Sequence, residues 1–293
     1  MCNRICMGTV QLGQHYGINN ALGRKPNLQE SFNLLEQAIN SGVNFFDTAS
    51  AYGDAEIILG KFGINRFPVK IISKLRPKLP ADSKIVLSEI KCSLDRLNLN
   101  SLEGYLFHNV EDFYIEEKLR GLKLAKEIGL TKNIGVSIYE PADALNVIQD
   151  KDIDFIQIPY NVLDQRLDET NFFEVAEKNN VTIFARSAFL QGLLLMTKEN
   201  IPPNLKEAWI YIEKFQNIAS KYNFTPSEAA LLFAYCHKKI DYVLFGVETI
   251  QQLNDNLKIL DKASRFNDCY EELSGNFKNI SRKIIVPSLW GEN

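Results

Sequence analysis

The chain has 293 residues, of which 45% are hydrophobic, and its 33 Lys and Arg against 36 Asp and Glu give a formal net charge of −3. This length suffices for a sizeable core, and the charge balance, without long basic stretches, argues against a nucleic-acid partner. The sequence contains no apolar run of about 18 residues, and the stretch "MCNRICMG" lacks the apolar h-region that a signal peptide would have. We therefore expect a cytoplasmic protein without a membrane partner.

The cysteines and histidines favour neither a disulfide framework nor a metal site. An odd number of cysteines without a CxxC pair is expected to remain as reduced thiols. The cysteines are Cys2, Cys6, Cys92, Cys236 and Cys269. The three histidines are too scattered for a His-rich metal site, but they leave room for one catalytic imidazole.

Short β-rich apolar runs alternate with longer amphipathic segments along the chain. The predicted strands span residues 4–11, 43–49, 69–75, 103–109, 133–139, 154–162, 181–189 and 242–248. The predicted helices span residues 28–41, 82–98, 112–129, 165–178, 205–222 and 250–262. Almost wholly apolar strands that are each followed by a helix indicate a parallel sheet covered by helices.

Eight such units in one chain predict a (β/α)8 TIM barrel, α/β in class. A doubly wound sheet is the competing fold, but no strand is followed by the G-x-G-x-x-G fingerprint of that fold. We expect extra helices between strands seven and eight and at the C-terminus. No linker or low-complexity tract divides the chain, so we predict one domain over residues 1–293.

Polar residues stand at or near the carboxyl ends of several of the otherwise apolar strands. Each has an ordinary structural explanation on its own, such as helix capping for an aspartate, but strand ends of a barrel converge on one mouth. These residues are Asp47, Lys74, His108, Ser137, Gln157, Arg186 and Ser187. Together they predict a functional site at that mouth.

Several motifs point to a family. The chain carries, in order, "DTASAYGDAE", "ISKL", "LFHN", "IGVS", "IQIPYN", "SAFLQGLL" and "FGVETIQQLNDNL". In these motifs it resembles the aldo-keto reductases over nearly its whole length, in particular bacterial short-loop NAD(P)-linked oxidoreductases. The resemblance implies reduction of an aldehyde or ketone by NADPH, with NADH as an open alternative. It also implies a catalytic tetrad of Asp47, Tyr52, Lys74 and His108.

The chemistry of carbonyl reduction explains these four residue types. Hydride delivery to carbon leaves charge on oxygen, and Tyr52 would donate the proton. Lys74 would favour the phenolate, and Asp47 would supply the counter-ion that a buried ammonium needs. His108 would orient the carbonyl by hydrogen bonding.

The resemblance also implies a set of cofactor-binding residues. They are Gly8, Thr9, Asp47, Ser137, Gln157, Arg186, Ser187, Phe189, Gln191, Gly246, Glu248, Gln252 and Asn256. No metal ion is implied.

The chain departs from the family pattern at four places. Ile138 stands where many members have Asn. Arg186 stands where an aromatic ring commonly stacks on the nicotinamide, and its charge predicts a preference for the reduced cofactor. Glu248 and Gln252 stand where cations often pair with a 2′-phosphate, so Glu248 could instead accept hydrogen bonds from a free ribose. The N-terminal hairpin that plugs the barrel in many members is predicted to be lacking.

Other functions stay open at the sequence level. The polar segment 11–27, with Gln11, His15, Tyr16 and Asn19, suits a sugar or sugar-nucleotide carbonyl, and an ordinary polar loop is an equal alternative. Lys74 could form a Schiff base in an aldolase or lyase. A non-catalytic, cofactor-sensing subunit is a further alternative. Neither the substrate nor the oligomeric state follows from the sequence.

Overall fold

A computed structural model describes residues 4–20 and 22–291 of the chain. The strands are β1 (Ile5–Gly8), β2 (Phe45–Asp47), β3 (Lys70–Leu75), β4 (Leu102–Phe107), β5 (Thr131–Ser137), β6 (Phe155–Pro159), β7 (Thr182–Arg186) and β8 (Tyr242–Gly246). The helices are α1 (Val10–Gly13), α2 (Leu28–Asn40), α3 (Ala55–Phe62), α4 (Ser83–Leu97), α5 (Glu116–Glu127), α6 (Pro141–Val147), α7 (Phe172–Lys178), α8 (Trp209–Lys221), α9 (Pro226–Cys236), α10 (Ile250–Ile259), α11 (Asn267–Asn276) and α12 (Arg282–Ile285).

The eight strands form a closed parallel barrel in chain order, with β8 pairing to β1. Each strand is nearly buried along its length because helices cover the outside and side chains fill the inside. The predicted (β/α)8 fold is confirmed, and so are the extra helices, α8 and α9 before β8 and α11 and α12 after α10.

Aromatic side chains fill the end of the barrel where the strands begin. Phe45, Phe155 and Tyr242 open β2, β6 and β8, and their rings surround Phe184 with centroids 4.9–5.3 Å away. Gly135 leaves the room that this packing needs, since a Cβ there would lie 2.1 Å from the carbonyl oxygen of Phe155. The interior is thus solid at this end, which leaves the opposite end for a site.

Several strands end earlier than the sequence predicts, and each has a local cause. The run 4–11 stops at Gly8 because α1 begins at Val10. The run 181–189 stops at Arg186, because Ser187 takes a left-handed φ of 66°. These early ends turn the following residues across the mouth of the barrel.

The helix predicted over 165–178 is wrong as one element. The structure has a 3-10 turn at Arg166–Glu169 and then α7. Thr170 breaks the run, since its hydroxyl donates to the carbonyl of Leu167 and accepts from the backbone N–H of Phe172. Helix α6, which the sequence analysis lacks, begins with Pro141 at its first position.

The first described residue, Arg4, leads directly into β1, and its guanidinium donates to the carbonyls of His237 and Asp241 beside β8. The predictions on the N-terminal hairpin and on the Cys2 thiol otherwise fall on residues 1–3, which lie outside the described residues.

None of the helices described here is both long and apolar enough to cross a bilayer.

Candidate active site

One large cavity opens at the carboxyl ends of the strands, with a volume of about 770 Å³. Every predicted cofactor residue except Thr9 lines it, as does every predicted tetrad residue except Lys74. Thr9 lies behind the wall, where its hydroxyl donates to the main-chain oxygen of Asp47 over 3.0 Å. Lys74 does not line the cavity, but its ammonium contacts two residues that do, Asp47 and Tyr52.

The floor of the cavity contains a buried ion pair between Asp47 and Lys74. Only 2% of the Asp47 side chain and 1% of the Lys74 side chain are exposed. The ammonium nitrogen lies 2.7 and 2.6 Å from the two carboxylate oxygens and 3.2 Å from the main-chain oxygen of Thr48. The side-chain amide of Gln157 also donates to Asp47. The lysine is therefore fully engaged as an ammonium donor.

Tyr52 lies on the turn after β2 and points its hydroxyl at this pair. The phenolic oxygen is 3.4 Å from Lys74 Nζ. Burial raises the pKa of Tyr52, the nearby Asp47 carboxylate raises it further, and the positive charge of Arg186 opposes them. Because Asp47 neutralises the lysine, burial outweighs the lowering expected from an ammonium alone. The phenol therefore keeps its proton, as a proton donor must.

His108 follows β4 directly and packs edge-on against Tyr52, with ring centroids 5.5 Å apart. Burial lowers the pKa of the imidazole to about 3, and the charges of Lys74 and Arg186 add to the effect. Its Nδ1 is buried without a hydrogen-bond partner in the described part of the chain. A neutral imidazole with unused hydrogen-bonding capacity thus stands beside the phenol.

The cavity wall has amide groups that suit a carboxamide ligand. Gln157 Oε1 and Gln11 Oε1 are buried and have no hydrogen-bond partner in the described part of the chain. Ser137 lies beside Gln157, its register partner across β5 and β6, and lines the same wall. Buried amide oxygens without donors are rare, since each costs about 1–3 kcal/mol. A nicotinamide, which carries an N–H2 donor, fits this chemistry.

The turn after β7 is held in an unusual backbone conformation. Ser187, Leu190, Gln191 and Gly192 all have φ between 48° and 93°, and such residues cost about 1 kcal/mol or more each unless they are glycine. Gln191 Nε2 donates to the hydroxyl of Tyr16 over 3.3 Å. The turn and the 11–20 segment therefore meet over the cavity. Of the loop residues named from sequence, His15 is exposed, while Gln11, Tyr16 and Asn19 line the cavity.

The wall after β8 is acidic. Glu248 lines the cavity with Asp255, Gln252 and Asn256, and burial raises the pKa of the Glu248 carboxyl. Gln252 is held in place because its side-chain oxygen accepts the backbone N–H of Glu248 over 2.8 Å. Among the described lining residues, no Lys or Arg lies in this part of the wall.

Tyr139 is a lining residue that the sequence analysis did not identify. The guanidinium carbon of Arg186 lies 4.1 Å from the centre of the Tyr139 ring, and Arg186 Nη2 donates to the carbonyl of Ile138 over 2.9 Å. The sequence signal was its position two residues past Ser137, where the chain leaves β5. Tyr16, which the sequence analysis named in the polar segment that suits a sugar carbonyl, does line the cavity; burial raises its pKa to about 12, and it lies within the electrostatic reach of Tyr52.

The comparison with known families settles the class of this barrel. The model of the aldo/keto reductase family matches residues 4–269. The chain belongs to the aldo-keto reductase family. It is accordingly an NAD(P)-dependent oxidoreductase, and the family's chemistry is reduction of carbonyl groups with a nicotinamide cofactor.

Named relatives of this aldo-keto reductase are distant but cover most of the chain. It is 22% identical to the NADH-specific methylglyoxal reductase of Escherichia coli, over 88% of this chain and 90% of that protein. It is 24% identical to the L-galactose dehydrogenase of Arabidopsis thaliana, over 82% and 81%. An aldo-keto reductase from Bacillus halodurans has the same fold, with a TM-score of 0.74 at 18% identity over 91% of both chains.

Among the described residues, no group of three or more His, Cys, Asp or Glu side chains is arranged to hold a metal ion. The described cysteines, Cys6, Cys92, Cys236 and Cys269, are all free thiols.

Breaking the ion pair of this reductase should destabilise the fold. Lys74→Met leaves Asp47 charged and buried, and we expect a loss of about 3–5 kcal/mol in the free energy of unfolding. Urea denaturation measures it. Lys132→Met, which removes a surface bridge to Glu103 of 3.0 Å, is the control and should cost less than about 1 kcal/mol. A double change, Asp47→Asn with Lys74→Met, should recover part of the loss, and no recovery would contradict the pairing.

The neutral His108 should make stability depend on pH. Its pKa of about 3 lies below the unfolded value near 6.5, so unfolding takes up a proton in that window and stability falls as pH falls through it. Between pH 6.5 and 4.5 the wild type should lose about 2 kcal/mol more than His108→Gln. Denaturation curves at several pH values measure the two slopes, with His15→Gln as the control for loss of an exposed imidazole. Equal slopes for wild type and His108→Gln would contradict a buried neutral imidazole.

Proposed function

We propose that this chain reduces an aldehyde or ketone to the alcohol with NADH, with Tyr52 as the proton donor. One observation carries the proposal: the Tyr52 hydroxyl lies 3.4 Å from Lys74 Nζ, and its ring packs against His108 in a single cavity. A nicotinamide cofactor, when bound, supplies the hydride. Ser137 and Gln157 would hold its carboxamide, because Gln157 Oε1 has no other donor in the described residues.

The side chains then have separate tasks. Neutral His108 would hold the carbonyl oxygen by donating a hydrogen bond, which orients it towards the phenol. As negative charge grows on that oxygen, Tyr52 would donate its proton to it. The phenolate that remains lies beside the Lys74 ammonium, which stabilises it, and Asp47 keeps the ammonium in place throughout. Burial of the whole group strengthens each of these interactions.

The geometry favours this assignment over a Schiff-base enzyme. A lysine nucleophile needs a free amine lone pair in reach of the substrate. Lys74 is 1% exposed, does not line the cavity and donates to both oxygens of Asp47 and to Thr48. Its N–H groups are directed at these oxygens, so the side chain is suited to hold a neighbour's negative charge rather than to attack a carbonyl.

The acidic wall after β8 supports NADH as the reductant. A 2′-phosphate on the ribose would add about two negative charges facing Glu248 and Asp255, with no described Lys or Arg on that wall to pair with them. A free ribose diol would instead donate hydrogen bonds to Glu248. The Escherichia coli relative is named as NADH-specific, which agrees with this choice over the NADPH that is the family default.

Loss of the phenolic hydroxyl tests the proton donor. Tyr52→Phe should lower kcat by about 10²–10⁴-fold, the usual contribution of a positioned acid. NADH should still bind, since the ring is retained. Oxidation of NADH in the presence of an aldehyde and keto-sugar panel gives kcat, and quenching of protein fluorescence gives the binding constant. If NADH binds to the wild type but no carbonyl is reduced, the cofactor-sensing alternative replaces this proposal.

Reversing the charge at Glu248 tests the cofactor choice. The wild type should bind NADH more tightly than NADPH, and Glu248→Lys should shift the ratio towards NADPH by at least about tenfold, since it replaces a repulsion by an ion pair. Fluorescence titration with both cofactors measures the ratio. Glu199→Lys, an exposed change outside the cavity lining, is the matched control. A wild type that prefers NADPH would overturn the NADH assignment and leave carbonyl reduction standing.

A further inference from the structure

Arg186 is a cation at the reaction centre without a carboxylate partner. Its guanidinium donates to the carbonyl of Ile138 over 2.9 Å and to the hydroxyl of Ser187 over 3.3 Å, and none of the described carboxylates lies within 4.0 Å. The neighbouring Arg166 differs. It pairs with Asp164 at 2.7 Å and with Glu140 at 3.0 Å. The two arginines share one region of the barrel mouth, and only Arg166 is neutralised.

Arg166, which its ion pairs with Asp164 and Glu140 hold in place, positions the backbone at Tyr139. Its Nη2 donates to the main-chain oxygen of Tyr139 over 2.9 Å, and so holds the chain that carries this ring. The ring in turn lies against one face of the Arg186 guanidinium. The structure therefore fixes the plane of the Arg186 guanidinium. The charge of Arg186 reaches the Asp164 carboxylate, but Asp164 forms its ion pair with Arg166, so Arg186 has no ion pair of its own.

The charge of Arg186 acts on the groups that would carry out the reaction. Burial raises the pKa of Tyr52 and the charge of Arg186 opposes that rise, whereas burial lowers the pKa of His108 and Arg186 adds to that effect; Arg186 also lines the same cavity as they do. It is also the single Lys or Arg among the lining residues within 4–20 and 22–291. A half-buried cation is costly to keep unpaired, so a ligand of opposite charge would gain both contact and charge balance.

A guanidinium has five N–H donors in a planar fork that matches carboxylate and phosphate oxygens. Two of its nitrogens have one acceptor each in the described residues, which leaves the remaining N–H groups for a ligand. Tyr139 already restricts the fork, so little conformational entropy is lost when an anion binds.

We propose that Arg186 determines substrate specificity by pairing with an oxyanion, carboxylate or phosphate, carried by the carbonyl substrate. This inference rests on the proposed function, because it names the substrate class of the same site. The enzyme then prefers anionic aldehydes and ketones over neutral ones of similar size. The pairing also places the substrate carbonyl within the reach of Tyr52 and His108.

Matched substrate pairs test the inference. Succinic semialdehyde against butanal probes a carboxylate, and glyceraldehyde 3-phosphate against glyceraldehyde probes a phosphate. The ratio of kcat/KM within each pair, measured with NADH, should favour the anionic member by roughly 10- to 100-fold in at least one pair, the range expected for hydrogen bonds to a charged group. The pair that shows the preference identifies the oxyanion.

Variants assign the preference to Arg186. In Arg186→Gln the ratio of kcat/KM should fall to about one, even if the substitution also changes kcat/KM for both substrates by a common factor. Arg186→Lys should retain part of the preference for the anionic substrate. Arg265→Gln removes a charge at an exposed position outside the cavity lining, and it should keep the wild-type ratio. A ratio near one in the wild type, or an unchanged ratio in Arg186→Gln, overturns the inference. Weaker NADH binding with an unchanged ratio assigns the guanidinium to the cofactor instead.

The outcome separates the inference from the proposed function. Reduction of butanal or glyceraldehyde supports the proposed function whatever the ratio. If no carbonyl is reduced, calorimetric titration of the NADH-loaded protein with butyrate and with glycerol 3-phosphate still tests Arg186. Binding at least tenfold tighter to the wild type than to Arg186→Gln for either probe supports the oxyanion site, and equal binding overturns it.

Discussion

The ion pair between Asp47 and Lys74 is the interaction on which the mouth of this barrel depends. The two residues come from adjacent parallel strands, and Gln157 joins them from β6 on the other side of the barrel. Because both side chains are almost completely removed from water, loss of either partner would leave the other as an uncompensated buried charge. The pair and Gln157 therefore join three strands at one point, and this point lies next to the turn that carries Tyr52.

Burial and the charges of the pair together set the protonation states around it. Burial is the largest influence on the pKa of both Tyr52 and His108, Asp47 adds to it at the phenol and Lys74 adds to it at the imidazole, so the phenol keeps its proton and the imidazole stays neutral. Arg186 then remains as the net positive charge of this part of the cavity. A site with two neutral hydrogen-bonding groups and one excess cation responds most strongly to a ligand that brings or develops negative charge on oxygen.

The sequence was enough to predict the barrel, because eight apolar runs with intervening helices leave few other folds, and it placed Asp47, Tyr52 and His108 around one cavity. It predicted that Lys74 would favour the phenolate of Tyr52, whereas burial is the largest influence on that pKa and raises it; this balance depends on distances between residues far apart in the chain. It also missed Tyr139, whose role depends on stacking against Arg186, and the break at Thr170, where a side-chain hydrogen bond replaces a helical one.

The distribution of charge over the cavity wall links substrate and cofactor choice. The excess cation, Arg186, ends β7, whereas Glu248 and Asp255 follow β8, so the cavity wall is positive near the reacting groups and negative beyond β8. A substrate with a negative charge and a ribose without one match this pattern, whereas a ribose 2′-phosphate would place like charges together at the acidic wall and a neutral substrate would leave Arg186 unpaired. Each charge thus disfavours the wrong occupant of its own region as well as favouring the right one.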